Sequence, residues 1–94
     1  MNMLTLDQFA DSVGETYEVA FGDATVPLRL EEAAASAWAD TRLGGAFRLE
    51  WSGPADAMLP QATYLIRHGG RELAIMIVPI ARSGDEIRYE AIFN

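Results

Sequence analysis

Apolar and polar residues alternate along most of the chain after residue 15, and a period of two predicts β-strands. The pattern is clearest where Phe47, Leu49 and Trp51 alternate with polar side chains. Further strands are predicted at residues 16–21, 26–31, 73–80 and 87–93, and on the N-terminal side of the turn at 68–71. Turn residues separate most of these runs, so neighbouring strands should form antiparallel hairpins.

The beginning of the chain follows a helical period instead. Residues 5–8 have the form of a capping box, in which the threonine hydroxyl and the glutamine side chain each accept a backbone N–H. Apolar residues then recur at helical spacing through Phe9 and Val13, and Gly14 follows as a stop signal. We therefore expect one amphipathic helix over residues 6–13.

Four details of the strand region can be predicted as well. Pro27 lacks an N–H and should lie on an edge or among the first residues of its strand. Residues 31–45 should continue as a strand that dissolves into a loop. Met58 and Leu59 should both pack against the core. Residues 73–80 are apolar on both faces and are therefore expected to form the central strand.

These elements predict a single domain over residues 1–94. Its class is mainly β with one N-terminal α-helix: a small antiparallel barrel or sandwich of about six strands, with the helix covering one open end or face.

Composition narrows the possible functions. The 94 residues include no cysteine, which excludes disulfides, thiol catalysis and cysteine-ligated metals. A net charge of −7 disfavours nucleic acid and anionic membranes as partners. The sequence shows neither a signal peptide nor a transmembrane segment, so a cytoplasmic location is the default, with assembly into a larger surface structure still open.

Candidate chemistry is sparse. His68 flanks two turn glycines and is interpreted as a solvent-exposed turn residue rather than a general base. The neighbouring carboxylates at 31–32 and 85–86 should point to opposite faces as strand neighbours, and are interpreted as solvated charges. We predict no catalytic residue, no metal, no cofactor and no enzyme activity.

The aromatic residues are divided between core and surface. Six of them fall on the apolar phase of their strands and are predicted to lie in the core: Tyr17, Phe21, Phe47, Trp51, Tyr89 and Phe93. Trp38 stands apart, in the loop-like segment. It is interpreted equally well as a partner contact or as a plug over the barrel end.

Four blocks of sequence resemble a known family: residues 4–14, 47–54, 59–64 and 88–94. The chain resembles the short bacterial proteins grouped as domain of unknown function 6916. The resemblance implies a stand-alone small domain with no assigned activity and an association with phage-tail-like or tail-collar-like surface proteins. It carries no catalytic residue to this chain.

Three hypotheses about function remain. The first is a non-enzymatic protein-interaction or assembly module, binding a protein partner through an edge strand or the 38–46 loop, with Trp38, Arg42, Glu90 and Ile92 as candidate contacts. Trp38→Ala should then weaken binding. The alternative is a small-molecule or carbohydrate-binding barrel, or less favourably a hydrolase built on His68 and a carboxylate. Self-association into a structural subunit is the third possibility.

Overall fold

The chain folds into a closed six-stranded antiparallel β-barrel, seen in a computed structural model that describes residues 4–35 and 46–93. The elements are α1 Asp7–Ala10, β1 Thr16–Phe21, β2 Ala24–Ala35, β3 Phe47–Pro54, a 3₁₀ turn Ala55–Ala57, β4 Ala62–His68, β5 Arg71–Ser83 and β6 Glu86–Phe93. Around the barrel the strands follow the order β1-β2-β3-β6-β5-β4, and β4 returns to pair with β1. This confirms the mainly β class and decides for a barrel over a sandwich.

The barrel interior is filled with side chains. Every strand contributes its inward phase, so that the predicted alternation becomes an apolar core shared by all six strands. Trp51 lies fully buried on β3, and the ring of Tyr17 packs edge-on against it with 5.9 Å between the centroids. The bulkiest buried residues are Trp51, Tyr17, Tyr89, Phe9 and Phe47.

Each end of the barrel holds a buried side chain. At one end Phe9 of α1 is fully buried, with its ring centroid within 6.5 Å of those of Tyr17, Phe47 and Phe93. This confirms that the helix covers an open end. At the other end Leu59 is fully buried, and its backbone N–H donates to the Tyr89 hydroxyl at 2.9 Å.

Met58 does not pack beside Leu59 as predicted. It is 52% exposed, because the extended backbone at this point directs neighbouring side chains in opposite directions. Only one of the two residues can therefore enter the core.

The helix is also shorter than the predicted 6–13. It covers Asp7–Ala10, and residues 11–14 form turns. The chain leaves the helix here because it must enter β1, and the Gly14 N–H, just before that strand, donates to Leu30 O at 2.7 Å. Half of the predicted capping box forms: Gln8 Oε1 accepts the Thr5 N–H at 2.8 Å. The Thr5 hydroxyl does not cap, since Leu6 occupies the N-cap position.

Three predictions about the strands need correction or refinement. β5 is not a central strand, since a closed barrel has none, and Met76 and Ile80 on it remain exposed. Phe21 is 43% exposed because it ends β1 at the rim, where it contacts only the edge of Tyr64 among aromatic rings of the described chain. Pro27 lies in the stretch of β2 that pairs with β1 before the register with β3 begins, as its missing N–H requires.

A β-bulge in β2 changes the placement of two carboxylates. The register with β3 shifts between Leu30 and Glu32, so the extra residue Glu31 turns to the outer surface beside Glu32. The predicted opposite orientation of this pair is therefore wrong. β2 continues to Ala35, as the strand prediction required, whereas residues 36–45, including Trp38 and Arg42, lie outside the described residues.

Candidate functional site

The outer surface of the barrel has two chemically different parts. Side chains pointing outward from β2, β3 and most of β6 are charged and joined by ion pairs. Those pointing outward from the middle of β4 and β5 and from the end of β6 are apolar. Residues 73–80 were predicted to be apolar on both faces but covered on both sides as a central strand, so their exposure on the outer surface is the unexpected part.

We call the second part the apolar face and define it by Leu65, Met76, Val78 and Ile92. Leu65, Met76 and Ile92 are 48%, 54% and 52% exposed, respectively. Leu65 and Met76 lie on paired strands, since their partners are Ala74 and Thr63. Val78 pairs with Glu90 at the point where the pairing of β5 with β6 ends, and Ile92 lies two residues further along β6 on the same outer side as Glu90. Leu65, Met76 and Val78 therefore share one surface on β4 and β5, and Ile92 follows beyond the paired part of β6.

The sequence explains why this surface is apolar. In residues 73–80 neither of the two alternating sets of side chains carries a charge. Whichever set enters the core, the other set therefore brings apolar side chains to the surface. Ile75 and Ile77 enter the core, and Met76 and Val78 are left outside. The same double pattern that predicted a central strand thus marks the apolar face in a closed barrel.

The charged part centres on Glu50, which is mostly shielded from solvent. Arg88 Nη1 contacts its Oε1 at 3.0 Å, and Arg48 bonds its other oxygen. Burial alone would raise the pKa of Glu50, but the hydrogen bonds from Arg88 and Arg48 outweigh it and hold the pKa of this carboxyl below its usual range. Arg48 also reaches Glu32 at 3.1 Å, which joins three strands.

A second polar cluster lies at the bulge. The buried Ser52 hydroxyl donates to Glu31, and Arg29 Nε donates to the same carboxylate at 2.7 Å. These two hydrogen bonds lower the pKa of Glu31, which is therefore a poor proton acceptor at neutral pH. The alternation of apolar and polar residues does not predict this cluster, because the cluster forms only when the bulge turns Glu31 to the outer surface.

Two of the four predicted contact residues are described, and both lie on the outer side of β6. Glu90 is opposite Glu50 and 4.0 Å from Arg48, whereas Ile92 belongs to the apolar face. Trp38 and Arg42 lie outside the described residues. From Glu86 to Glu90, β6 pairs with β3 on one side and β5 on the other, so it is not a free edge there.

His68 is not the solvent-exposed turn residue that we predicted. Its side chain is 21% exposed, its ring stacks on Tyr17 with 4.2 Å between centroids, and Nε2 lies 2.6 Å from Glu15 Oε1. The Tyr17 hydroxyl is in turn 2.6 Å from Ser12 Oγ, and burial raises the pKa of Tyr17. Glu15 was missed because 53 positions separate it from His68 in sequence.

An open depression of about 420 Å³ lies beside this cluster. Arg67, Arg71, Glu18 and Glu72 all line it, so it carries charges of both signs. Within the described residues, the His68 ring is hydrogen-bonded to Glu15 and not to any hydroxyl group. The arrangement stabilises the β4–β5 turn but brings no nucleophile to the imidazole.

The described ranges hold neither a metal-binding cluster nor a membrane-spanning helix. No group of three or more histidine, aspartate or glutamate residues there is arranged to hold a metal ion. No helix in residues 4–35 or 46–93 has the length and apolar character needed to cross a bilayer.

The fold and surface define a class: a small closed β-barrel, covered by a helix at one end and carrying an apolar face on its outer side. The chain belongs to the family described as Domain of unknown function (DUF6916), whose model matches residues 4–93. This confirms the resemblance seen in the sequence. No curated protein and no solved structure matches the chain.

Proposed function

We propose that this protein is a non-enzymatic protein-interaction or assembly module that binds its partner through the apolar face. The observation that carries this proposal is the pair of half-exposed apolar side chains on the adjacent strands β4 and β5, Leu65 and Met76, with the equally exposed Ile92 on the outer side of β6. Single exposed apolar residues are ordinary, but a contiguous group on adjacent strands is typical of a binding surface.

The expected energetic contribution is modest. Fully burying a side chain of this kind contributes about 1.5–3 kcal/mol, so covering the exposed halves of three contributes roughly 2–4 kcal/mol. This is a suitable core for an interface, to which a polar rim adds specificity. Arg48, Arg67 and Glu90 lie around the apolar face and can form such a rim.

The polar clusters support a non-enzymatic role. The carboxylate of Glu31 is held by Arg29 and Ser52, and His68 is held by Glu15 and Tyr17. Each of these groups completes a contact within the chain, as expected for side chains that stabilise a barrel.

We further propose an accessory or assembly role in a phage-tail-like or tail-collar-like surface structure. The support for this setting is the family resemblance alone. The apolar face is compatible with it, because an assembled subunit needs a surface that another chain can cover.

The test is affinity capture with tagged protein from a lysate of the cells that make it. Met76→Glu is the test variant, since it places a charge at the centre of the apolar face. Thr25→Glu is the matched control, because Thr25 also points outward from a strand but lies on β2. We expect a captured protein that the control retains and Met76→Glu loses.

Two results would overturn the proposal. One is equal capture by wild type and Met76→Glu. The other is loss of capture with Trp38→Ala while Met76→Glu binds normally, which would place the contact in the 36–45 segment. Circular dichroism of each variant checks that the barrel is intact.

A further inference from the structure

We infer that Met76 is an oxidative modification site, at which a hydroperoxide converts the thioether to a sulfoxide and makes the apolar face polar. This inference rests on the proposed function for its consequence, which is loss of the bound partner. Three observations support it: the exposure of Met76, its neighbours on the barrel wall, and a second methionine, Met58, that is exposed to the same extent elsewhere.

Met76 is open to a dissolved oxidant. It points outward from β5 and is 54% exposed, whereas Ile75 and Ile77 on either side of it in the chain are buried in the core. An exposed thioether is oxidised before a buried one, because the oxidant must reach the sulfur. Since the flanking isoleucines hold β5 in the barrel wall, the sulfoxide forms without opening the core.

The reaction is a transfer of one oxygen atom. A lone pair of the Met76 sulfur attacks one oxygen of hydrogen peroxide, so that an S–O bond forms and the O–O bond breaks. The sulfur is oxidised by two electrons and the peroxide is reduced by two. The hydroxide that leaves takes the proton of the transferred oxygen and departs as water. The product is a polar, chiral sulfoxide, which sulfoxide reductases convert back to methionine.

The neighbours of Met76 explain why the sulfoxide has an effect. Met76 pairs with Thr63 on β4, and Leu65, two residues further along β4, lies diagonal to it on the same surface. Val78 follows Met76 on the outer side of β5. A partner that covers this surface buries the sulfoxide oxygen beside Leu65 and Val78, and burial of a polar atom among apolar groups is unfavourable.

Met58 provides a comparison within the same chain. It is 52% exposed, so dissolved peroxide reaches it as readily as Met76. It lies in the segment between β3 and β4, next to the buried Leu59, and does not belong to the apolar face. Oxidation of Met58 therefore adds a polar atom to the protein without changing the apolar face.

The first experiment treats the full chain with hydrogen peroxide. Peptide mass spectrometry locates each added oxygen, and hydrophobic interaction chromatography reports the exposed apolar surface. We expect Met58 and Met76 each to gain one oxygen, and the oxidised protein to elute earlier than the untreated one. Methionine sulfoxide reductases should restore the original retention.

Two leucine variants identify the residue responsible. Met76→Leu keeps an apolar side chain of similar volume but has no sulfur at this position, so it should lose most of the shift in retention that peroxide causes. Met58→Leu is the matched control and should keep most of that shift. Both positions face solvent, so circular dichroism should show the fold unchanged in each variant before and after treatment.

Affinity capture measures the consequence for binding. Peroxide-treated wild type should lose the partner that untreated wild type captures. Peroxide-treated Met76→Leu should retain it, because its apolar face stays apolar.

Two chemical results would overturn the inference. One is a Met76 that stays unoxidised under conditions that oxidise Met58. The other is a shift in retention that Met76→Leu shows in full. If Met76→Glu loses the partner while oxidised wild type keeps it, the inference fails and the proposed function stands. If wild type and Met76→Glu capture equally while Met76→Leu abolishes the shift in retention, the proposed function fails and Met76 stands as an oxidation site.

Discussion

The substitution Gly53→Ala is the most informative perturbation of the barrel. Gly53 lies in β3 between the neighbouring strands β2 and β6, and residues of both strands approach it closely. A methyl group built on Gly53 overlaps Cδ2 of Leu28 and lies 3.3 Å from Pro27 O and 3.5 Å from Tyr89 Cε2. Leu28 and Tyr89 are both fully buried, so neither side chain can move into solvent.

The sign of the effect separates two explanations. Without a clash, replacing a strand glycine by alanine stabilises a protein by about 0.4–1 kcal/mol, because the unfolded chain loses freedom. Overpacking a closed core costs about 1–3 kcal/mol. We therefore expect Gly53→Ala to lower the free energy of unfolding by roughly 1–2 kcal/mol, measured by urea denaturation with circular dichroism.

A double-mutant cycle provides the matched control. Leu28→Ala alone should cost about 2–5 kcal/mol by leaving a cavity. In that background the Gly53→Ala methyl enters the vacated space, so its cost should disappear or reverse. A stabilising Gly53→Ala in the wild-type background, or the same cost in both backgrounds, would refute the close-packing explanation.

Two further predictions concern polar contacts. Tyr89→Phe should lower the free energy of unfolding by about 1–3 kcal/mol, because the Leu59 N–H then lacks its buried acceptor; a urea titration that matches wild type would count against this. Glu50→Gln should cost about 1–3 kcal/mol near neutral pH by weakening its bonds to Arg48 and Arg88. Since the pKa of Glu50 is lowered by folding, its contribution is present above an ordinary glutamate pKa of about 4.3 and is lost as pH falls through the folded value. The difference between wild type and Glu50→Gln should therefore shrink towards pH 3, and a difference independent of pH would contradict the assignment.

The sequence predicted those features that depend on residues close to one another in the chain. Alternation placed Val26, Leu28 and Leu30 in the core, and the glycines after His68 in a hairpin turn where both adopt positive φ. Phe9 was assigned correctly to the inward side of a helix. Each of these outcomes depends on residues within a few positions of one another.

Features that depend on distant contacts were not predictable in the same way. The bulge at Glu31 shows only once β2 is aligned with β3, and the His68–Glu15 contact exists because the barrel closes through β1 and β4. Closure also explains the apolar face. A strand that is apolar in both phases is usually covered on both sides, but a barrel wall has one interior, so Met76 remains outside.

The most direct test of the account is site-specific photo-crosslinking in the cells that make the protein. A photoreactive residue replaces Met76 in one strain and Thr25 in a control strain. The account predicts a covalent product that joins this chain to a partner protein from position 76 and little product from position 25. Absence of a product from position 76, or a stronger product from position 25, would contradict the claim that the apolar face is the protein-binding surface.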